Sequence, residues 1–229
     1  MGVIAMGINR WCVAAGLAGA LVTGLLTPTA SADGSVPLGG GAGIVVGGTY
    51  CTLGTIGHDK TGELVGFTAG HCGGPGAQVV AEESGVPVGT VAAVGDGLDY
   101  AVIKFDPAKV TPTANFAGFA INGIGSDPEW HQPACTNGAA NGTRCGGIAS
   151  IPGPGPHSAM NHAPFQPGDD GGPVTSSDLL IGLVYGGNTV AGDRGIPQVD
   201  FTQYTKFSAI LNDVNAKGGP GAGFTPTPA

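Results

Sequence analysis

The chain has 229 residues, with 8 Lys and Arg against 16 Asp and Glu, a formal net charge of −8. That balance excludes nucleic acid and anionic membrane surfaces as partners, because both demand clustered cations. Its 5 cysteines contain no C-x-x-C pair, which argues against a structural zinc site.

Residues 1–32 read as a secretory leader. Arg10 supplies the positive segment, residues 11–26 are an uncharged and mostly apolar run, and Ala30-Ser31-Ala32 has the small-residue pattern of a cleavage site. A spanning helix needs about 18–20 apolar residues, so the run predicts export without a stable membrane anchor. Cys12 follows Arg10-Trp11, which is no context for lipidation. Cleavage after Ala32 leaves residues 33–229, enough chain for one or two small β domains. It also leaves four cysteines, Cys51, Cys72, Cys135 and Cys145, an even number that predicts two disulfides in an exported chain. Spacing alone does not choose among the three pairings.

Residues 33–41 are Gly-rich and predicted loose. Short Val- and Ile-rich runs then recur between turn signals, at residues 43–46, 64–68, 86–94, 100–105, 147–151 and 179–184. Each is too short for a helix, and together they predict an all-β sandwich or barrel. Glycine (45) and proline (18) are abundant enough for a low-complexity chain, but the regular apolar runs and the cysteines argue against disorder. One helix is predicted after Asp200. Its apolar positions are Phe201, Tyr204, Phe207, Ile210, Leu211 and Val214, and Gly218-Gly219 is the stop signal. Residues 218–229 are predicted to be a flexible tail.

Three motifs carry the chemistry. Thr68-Ala69-Gly70-His71-Cys72 sets a histidine beside a cysteine, and Leu98-Asp99-Tyr100-Ala101-Val102 sets an aspartate at a strand start. Gly168-Asp169-Asp170-Gly171-Gly172-Pro173 is a Gly-rich loop. A histidine, an aspartate and a G-D-x-G-G-P loop follow the chain order of one form of the Ser-His-Asp triad. On these motifs the chain resembles the chymotrypsin-like (trypsin-fold) serine proteases, above all their small secreted bacterial branch of alpha-lytic protease and streptogrisin type.

The resemblance implies two packed six-stranded antiparallel β-barrels with a C-terminal α-helix. The N-terminal barrel would span residues 33–112 and carry His71 and Asp99. The C-terminal barrel and helix would span 113–217 and carry the G-D-x-G-G-P loop, with the site in the cleft between them. His71 would be the general base and Asp99 its orienter, and the backbone N–H groups of Gly168 and Asp170 would form the oxyanion hole. Tyr185, Gly186 and Gly187 would belong to the substrate-binding strand. Cys51 would pair with Cys72, and Cys135 with Cys145. A monomer with a peptide or protein ligand is implied, and no cofactor or metal.

The sequence also departs from the family pattern. Asp170 occupies the position of the nucleophilic serine. Tyr185 stands where a serine usually bonds the triad aspartate. Thr136 stands where an arginine usually pairs with the buried acid matched by Asp169, and Arg144 is the nearest candidate replacement. Pro164, six residues before Asp170, provides no acidic pocket for Lys or Arg side chains.

A carboxylate attacking an amide would have to form a mixed anhydride, so Asp170 predicts a protein that does not cleave peptides. Losing the nucleophile of a triad that acts as a unit costs about 10⁶ in turnover, on the order of 8 kcal/mol of barrier. The extra charge opposes a developing oxyanion and is placed to turn into the hole and accept the Gly168 N–H. Between two acids, His71 is predicted to have a raised pKa and to be imidazolium at neutral pH, a form that cannot act as a base. Two other readings compete. One is an active endopeptidase using another serine, Ser158, Ser176 and Ser177 being near the loop in sequence. The other is a metal site of His71, Asp99 and Asp170, which triad geometry disfavours because the two acids would meet opposite ring nitrogens.

Overall fold

A computed structural model describes residues 2, 34–150, 155–192 and 198–229. Apart from Gly2, the expected leader and its cleavage site lie outside the described residues, as does Ile151 at the end of one expected strand.

Val, Ile and Thr lose side-chain freedom in a helix and pack well on a pleated surface, so the apolar runs become strands. The amino-terminal sheet is antiparallel. Its spatial order is Thr225–Pro226, Thr55–His58, Leu64–Ala69, Tyr100–Phe105, Pro87–Gly95, Gln78–Ala81, Gly43–Val46 and Thr49–Thr52. It curls as a half-barrel, with no ladder joining Thr49–Thr52 to Thr55–His58 among the described residues. The carboxyl-terminal sheet runs Gly123–Ile124, Leu179–Val190, Pro173–Ser176, Pro133–Gly138, Gly142–Ser150, His157–Asn161 and Val199–Lys206. There Val199–Lys206 pairs back on Leu179–Val190, which closes a six-strand barrel.

The period-2 alternation of strands decides where each core lies. Along Tyr100–Phe105, Ala101, Ile103 and Phe105 face the interior of the amino-terminal sheet with Ile44, Leu53 and Val91. Tyr100 and Val102 face the other way, onto Phe67, Phe207 and Phe224. Ile148, Met160, Val174, Val184 and Tyr204 fill the closed barrel.

The helix is Phe207–Lys217, shorter than the periodicity predicts, because Val199–Lys206 is a strand. A spacing of three and four over Phe201, Tyr204 and Phe207 is compatible with either element. The ladder that closes the barrel decides for strand. Phe207, Ile210 and Val214 are the buried face of the helix, and Gly218 ends it in the left-handed conformation (φ 70°), as the stop signal requires.

Two segments expected to be loose are ordered. Val36–Leu38 pairs in parallel with Val110–Pro112, and Leu38 is buried. Beyond the helix, Ala222 and Phe224 are buried, and Thr225–Pro226 adds an edge strand to Thr55–His58. The Phe224 ring meets Phe67 edge-on at 4.9 Å. Burying a side chain of this size stabilises by roughly 1.5–3 kcal/mol, so a single phenylalanine in a Gly- and Pro-rich stretch is enough to anchor it.

Candidate active site

The strand Leu64–Ala69 runs directly into the single 3₁₀ turn Gly70–Cys72 that holds His71. Its neighbour Tyr100–Phe105 is antiparallel, with Ala69 opposite Tyr100, so Asp99 is delivered beside the same turn. Asp99 has a left-handed backbone (φ 48°), which aspartate tolerates better than most residues. Its Oδ1 accepts the His71 backbone N–H at 2.8 Å, and its Oδ2 lies 2.7 Å from Nδ1. One carboxylate thus fixes both the main chain and the ring of the histidine.

Cys72 is bonded to Cys51 and Cys135 to Cys145, the pairing that the resemblance implies. The first disulfide ties the histidine turn to the strand Thr49–Thr52, whose last residue holds the Gly-rich loop. The Thr52 N–H donates to the Asp170 carbonyl at 2.8 Å, and its hydroxyl donates to the Gly168 carbonyl at 2.6 Å. The same hydroxyl accepts the Ala139 N–H at 2.9 Å, while the Thr52 carbonyl accepts from Thr68 Oγ1 at 2.7 Å. Sequence reasoning missed Thr52. The only signal is a β-branched hydroxyl beside Cys51.

Gly168 (φ +105°) and Gly171 (φ +85°) hold backbone conformations that favour glycine. A Cβ on Gly168 would lie 2.7 Å from the Tyr50 ring, and one on Gly171 would meet the Thr68 hydroxyl and the Thr52 carbonyl. The far side of the loop is stitched to the strand Leu179–Val190. There Gly171 N–H donates to Val184 O at 2.7 Å, and Val184 N–H donates to Gly172 O at 2.9 Å.

Asp169 is buried, but Arg144 is not its partner. The carboxylate accepts backbone N–H groups from Gln166 at 2.9 Å and Asn141 at 3.0 Å, and a third from Ala140. Arg144 instead donates to the Thr143 carbonyl and to Asn141 Oδ1. Main-chain donors have taken the place of the expected cation. Burial still dominates and pushes the Asp169 pKa up, against the pull of these donors and helped by the charge of Asp170. Thr136, in the position of the usual arginine, is buried with its hydroxyl unpartnered.

Asp170 Oδ1 lies 3.3 Å from His71 Nε2. The imidazole therefore sits between two carboxylates on opposite ring nitrogens, so the three groups do not converge on one point. Its pKa is pushed up to about 10, first by the bond to Asp170, then by the bond to Asp99, with burial opposing both. Asp170 faces the ring and does not accept the Gly168 N–H, as it would if it folded into the hole. Among the described residues neither the Gly168 nor the Asp170 N–H has an acceptor.

Tyr185 does not bond Asp99 among the described residues. Its ring packs edge-on against His157 at 5.0 Å, and its pKa is raised by burial and by the Asp99 charge. Gly187 follows on the same strand with the Phe165 side chain against its α-carbon, so any larger residue would collide. The candidate serines sit on other strands and turns of the carboxyl-terminal sheet. Ser176 donates to the Pro133 carbonyl and accepts from Gln132. Ser177 sits in a left-handed turn, and Ser158 lies opposite Tyr204 in the closed barrel.

No family model matches this chain, and no curated protein does. Solved structures do. Thermobifida fusca Protease A is similar at TM-score 0.62 and 25% identity, over 77% of this chain and 95% of its own. Nocardiopsis protease is similar at TM-score 0.60 and 25% identity, over 79% of this chain and 97% of its own. The alpha-lytic protease homologue N4 gives TM-score 0.60 and 24% identity, over 80% and 98%. The chain has the chymotrypsin-like fold, and its structural relatives are the bacterial serine proteases of the alpha-lytic protease family.

Proposed function

We propose that this protein is a secreted chymotrypsin-like protease homologue that does not cleave peptides and binds them in the cleft lined by the 168–171 turn. The observation that carries this reading is the Asp170 carboxylate 3.3 Å from His71 Nε2, where cleavage needs a hydroxyl. Neither partner is fit for attack on an amide. The carboxylate would have to form an anhydride, and the imidazole, held as imidazolium, has no lone pair at Nε2 to take a proton. The free N–H groups of Gly168 and Asp170 remain suited to a peptide carbonyl. Two disulfides fit an oxidising, extracellular setting.

The test is labelling of the purified protein with a fluorophosphonate, alongside hydrolysis of a broad peptide library by the wild type and by Asp170→Ser. The wild type is expected to give no adduct and no turnover. A covalent adduct on any serine would overturn the proposal in favour of an active endopeptidase. Cleavage gained by Asp170→Ser would locate the whole defect in the nucleophile. Silence in that variant would show that Tyr185 and Thr136 have disabled the scaffold as well.

A further inference from the structure

The Asp170 carboxylate is useless on an amide, but it has the surroundings of a nucleophile. Oδ1 faces His71 Nε2 at 3.3 Å, and no donor among the described residues is hydrogen-bonded to Oδ2. The side chain is 14% exposed against 46% for His71, so the carboxylate has little water to shed while solvent reaches the ring. Asp99 orients the ring from its other nitrogen, and the Gly168 N–H has no acceptor among the described residues. The Tyr50 ring, packed on Gly168, gives an apolar ligand a face beside the turn.

Chemistry narrows the electrophile. A phosphoryl group would set negative charge against Asp99, Asp169 and Asp170. A glycoside needs a second carboxylic acid about 5 Å away to protonate its leaving oxygen, and Asp99 is bonded to the far side of the imidazole. An epoxide leaves an alkoxide on the face opposite to attack, away from the Nε2 proton, which points at Asp170. A primary alkyl halide makes none of these demands. It is neutral, and its leaving group departs as a stable anion without a proton.

We propose that Asp170, His71 and Asp99 together hydrolyse small primary alkyl halides through an ester on Asp170. In the first step Asp170 Oδ2 attacks the carbon, and the carbon–halogen bond breaks with its electron pair leaving on the halide. The ester that forms is neutral. His71 had its pKa pushed up to about 10 first by the bond to Asp170, so that cause is removed and the ring releases a proton to solvent. Nε2 is then a base, still oriented by Asp99. It takes a proton from a water whose oxygen adds to Cγ of the ester, and the carbonyl oxygen becomes an oxyanion turned to the Gly168 N–H. Collapse breaks the bond from Cγ to the alkyl oxygen, and the proton on Nε2 goes to the departing alcohol. The new carboxylic acid then protonates Nε2, which restores the ion pair. The sum is alkyl halide and water giving alcohol, halide and a proton. This activity stands beside the peptide-binding reading and does not depend on it.

The test incubates the purified protein with hexyl bromide in heavy-oxygen water and follows bromide release and peptide mass. The wild type is expected to release more than one equivalent of bromide per chain and to carry heavy oxygen in the side chain of Asp170. His71→Gln should release a single equivalent and keep a hexyl ester on Asp170, hydrolysed at least about 100-fold more slowly. Asp170→Ser, which has the family's own residue in the loop, should do neither. A wild type that releases no bromide above the protein-free rate, with no ester trapped in His71→Gln, would overturn the proposal. Release that survives in Asp170→Ser would assign the reaction to another nucleophile and overturn it equally. A wild-type ester that never turns over would overturn the role given to His71. None of these outcomes bears on peptide binding.

Discussion

The imidazole between Asp99 and Asp170 makes a direct prediction about protonation. With a folded-state pKa of about 10 against an ordinary 6.5, His71 stays imidazolium through neutral pH. An NMR titration should show no deprotonation below pH 8, and Asp170→Asn should bring the midpoint down toward the ordinary value. A wild-type midpoint at or below 6.5 would contradict the geometry. The sign of the stability effect follows. Because the pKa is raised on folding, the contribution of His71 is complete below about 6.5 and is lost as the pH climbs toward 10. Burial opposes ionisation of Asp99, but its bonds to His71 win and hold its pKa below 3.8, so its share is lost only as the pH falls below that range. Denaturation at pH 5, 8 and 10 should show the alkaline decline, and His71→Gln should flatten it. At Asp169 the expected order is also clear. Asp169→Ala strands buried N–H groups and should cost about 3 kcal/mol in urea denaturation. Arg144→Ala should cost less than about 1 kcal/mol, because the exposed guanidinium does not touch that carboxylate. At this scale the sequence was legible where a side chain meets a side chain, as at His71, Asp99 and Asp170. It was silent where a carboxylate is satisfied by backbone, since any residue at 140, 141 or 166 except proline carries the needed N–H.

Elements were legible where a short Val- and Ile-rich run lies between turn signals. Tyr100–Phe105, buried at every position but Lys104, has its predicted bounds, as does Gly43–Val46. Residues 201–206 were not, because a spacing of three and four over so short a stretch fits a helix, and only the partner strand Leu179–Val190 decides otherwise. Composition misled at the carboxyl end, where the Gly and Pro content outweighed Phe224 in the reading although Phe224 carries the packing. Phe224→Ala should destabilise by about 3–5 kcal/mol, seen as a lower urea midpoint. It should also speed amide exchange at Thr227, whose N–H bonds the Ile56 carbonyl.

At the scale of the whole molecule the site is a joint property of both sheets. Asp99, His71 and Thr52 come from the amino-terminal one and the 168–171 turn from the other, so the disulfide that ties the histidine turn to the strand carrying Thr52 should matter to it. Replacing Cys51 and Cys72 by serine opens a loop with a sequence separation of 21, worth about 3 kcal/mol by chain entropy. It should also speed exchange of the Thr52 amide, which holds the Asp170 carbonyl.

The strand at Thr225–Pro226 has a consequence for the order of folding. Thr227 reaches back to Ile56 across 171 residues, so the amino-terminal sheet cannot complete its own architecture until residues 222–227 have docked on it. Before that, the aromatic surface around Phe67 is without its cover and open to chaperones or to self-association. A chain shortened to residue 217 would be caught permanently in that unfinished condition.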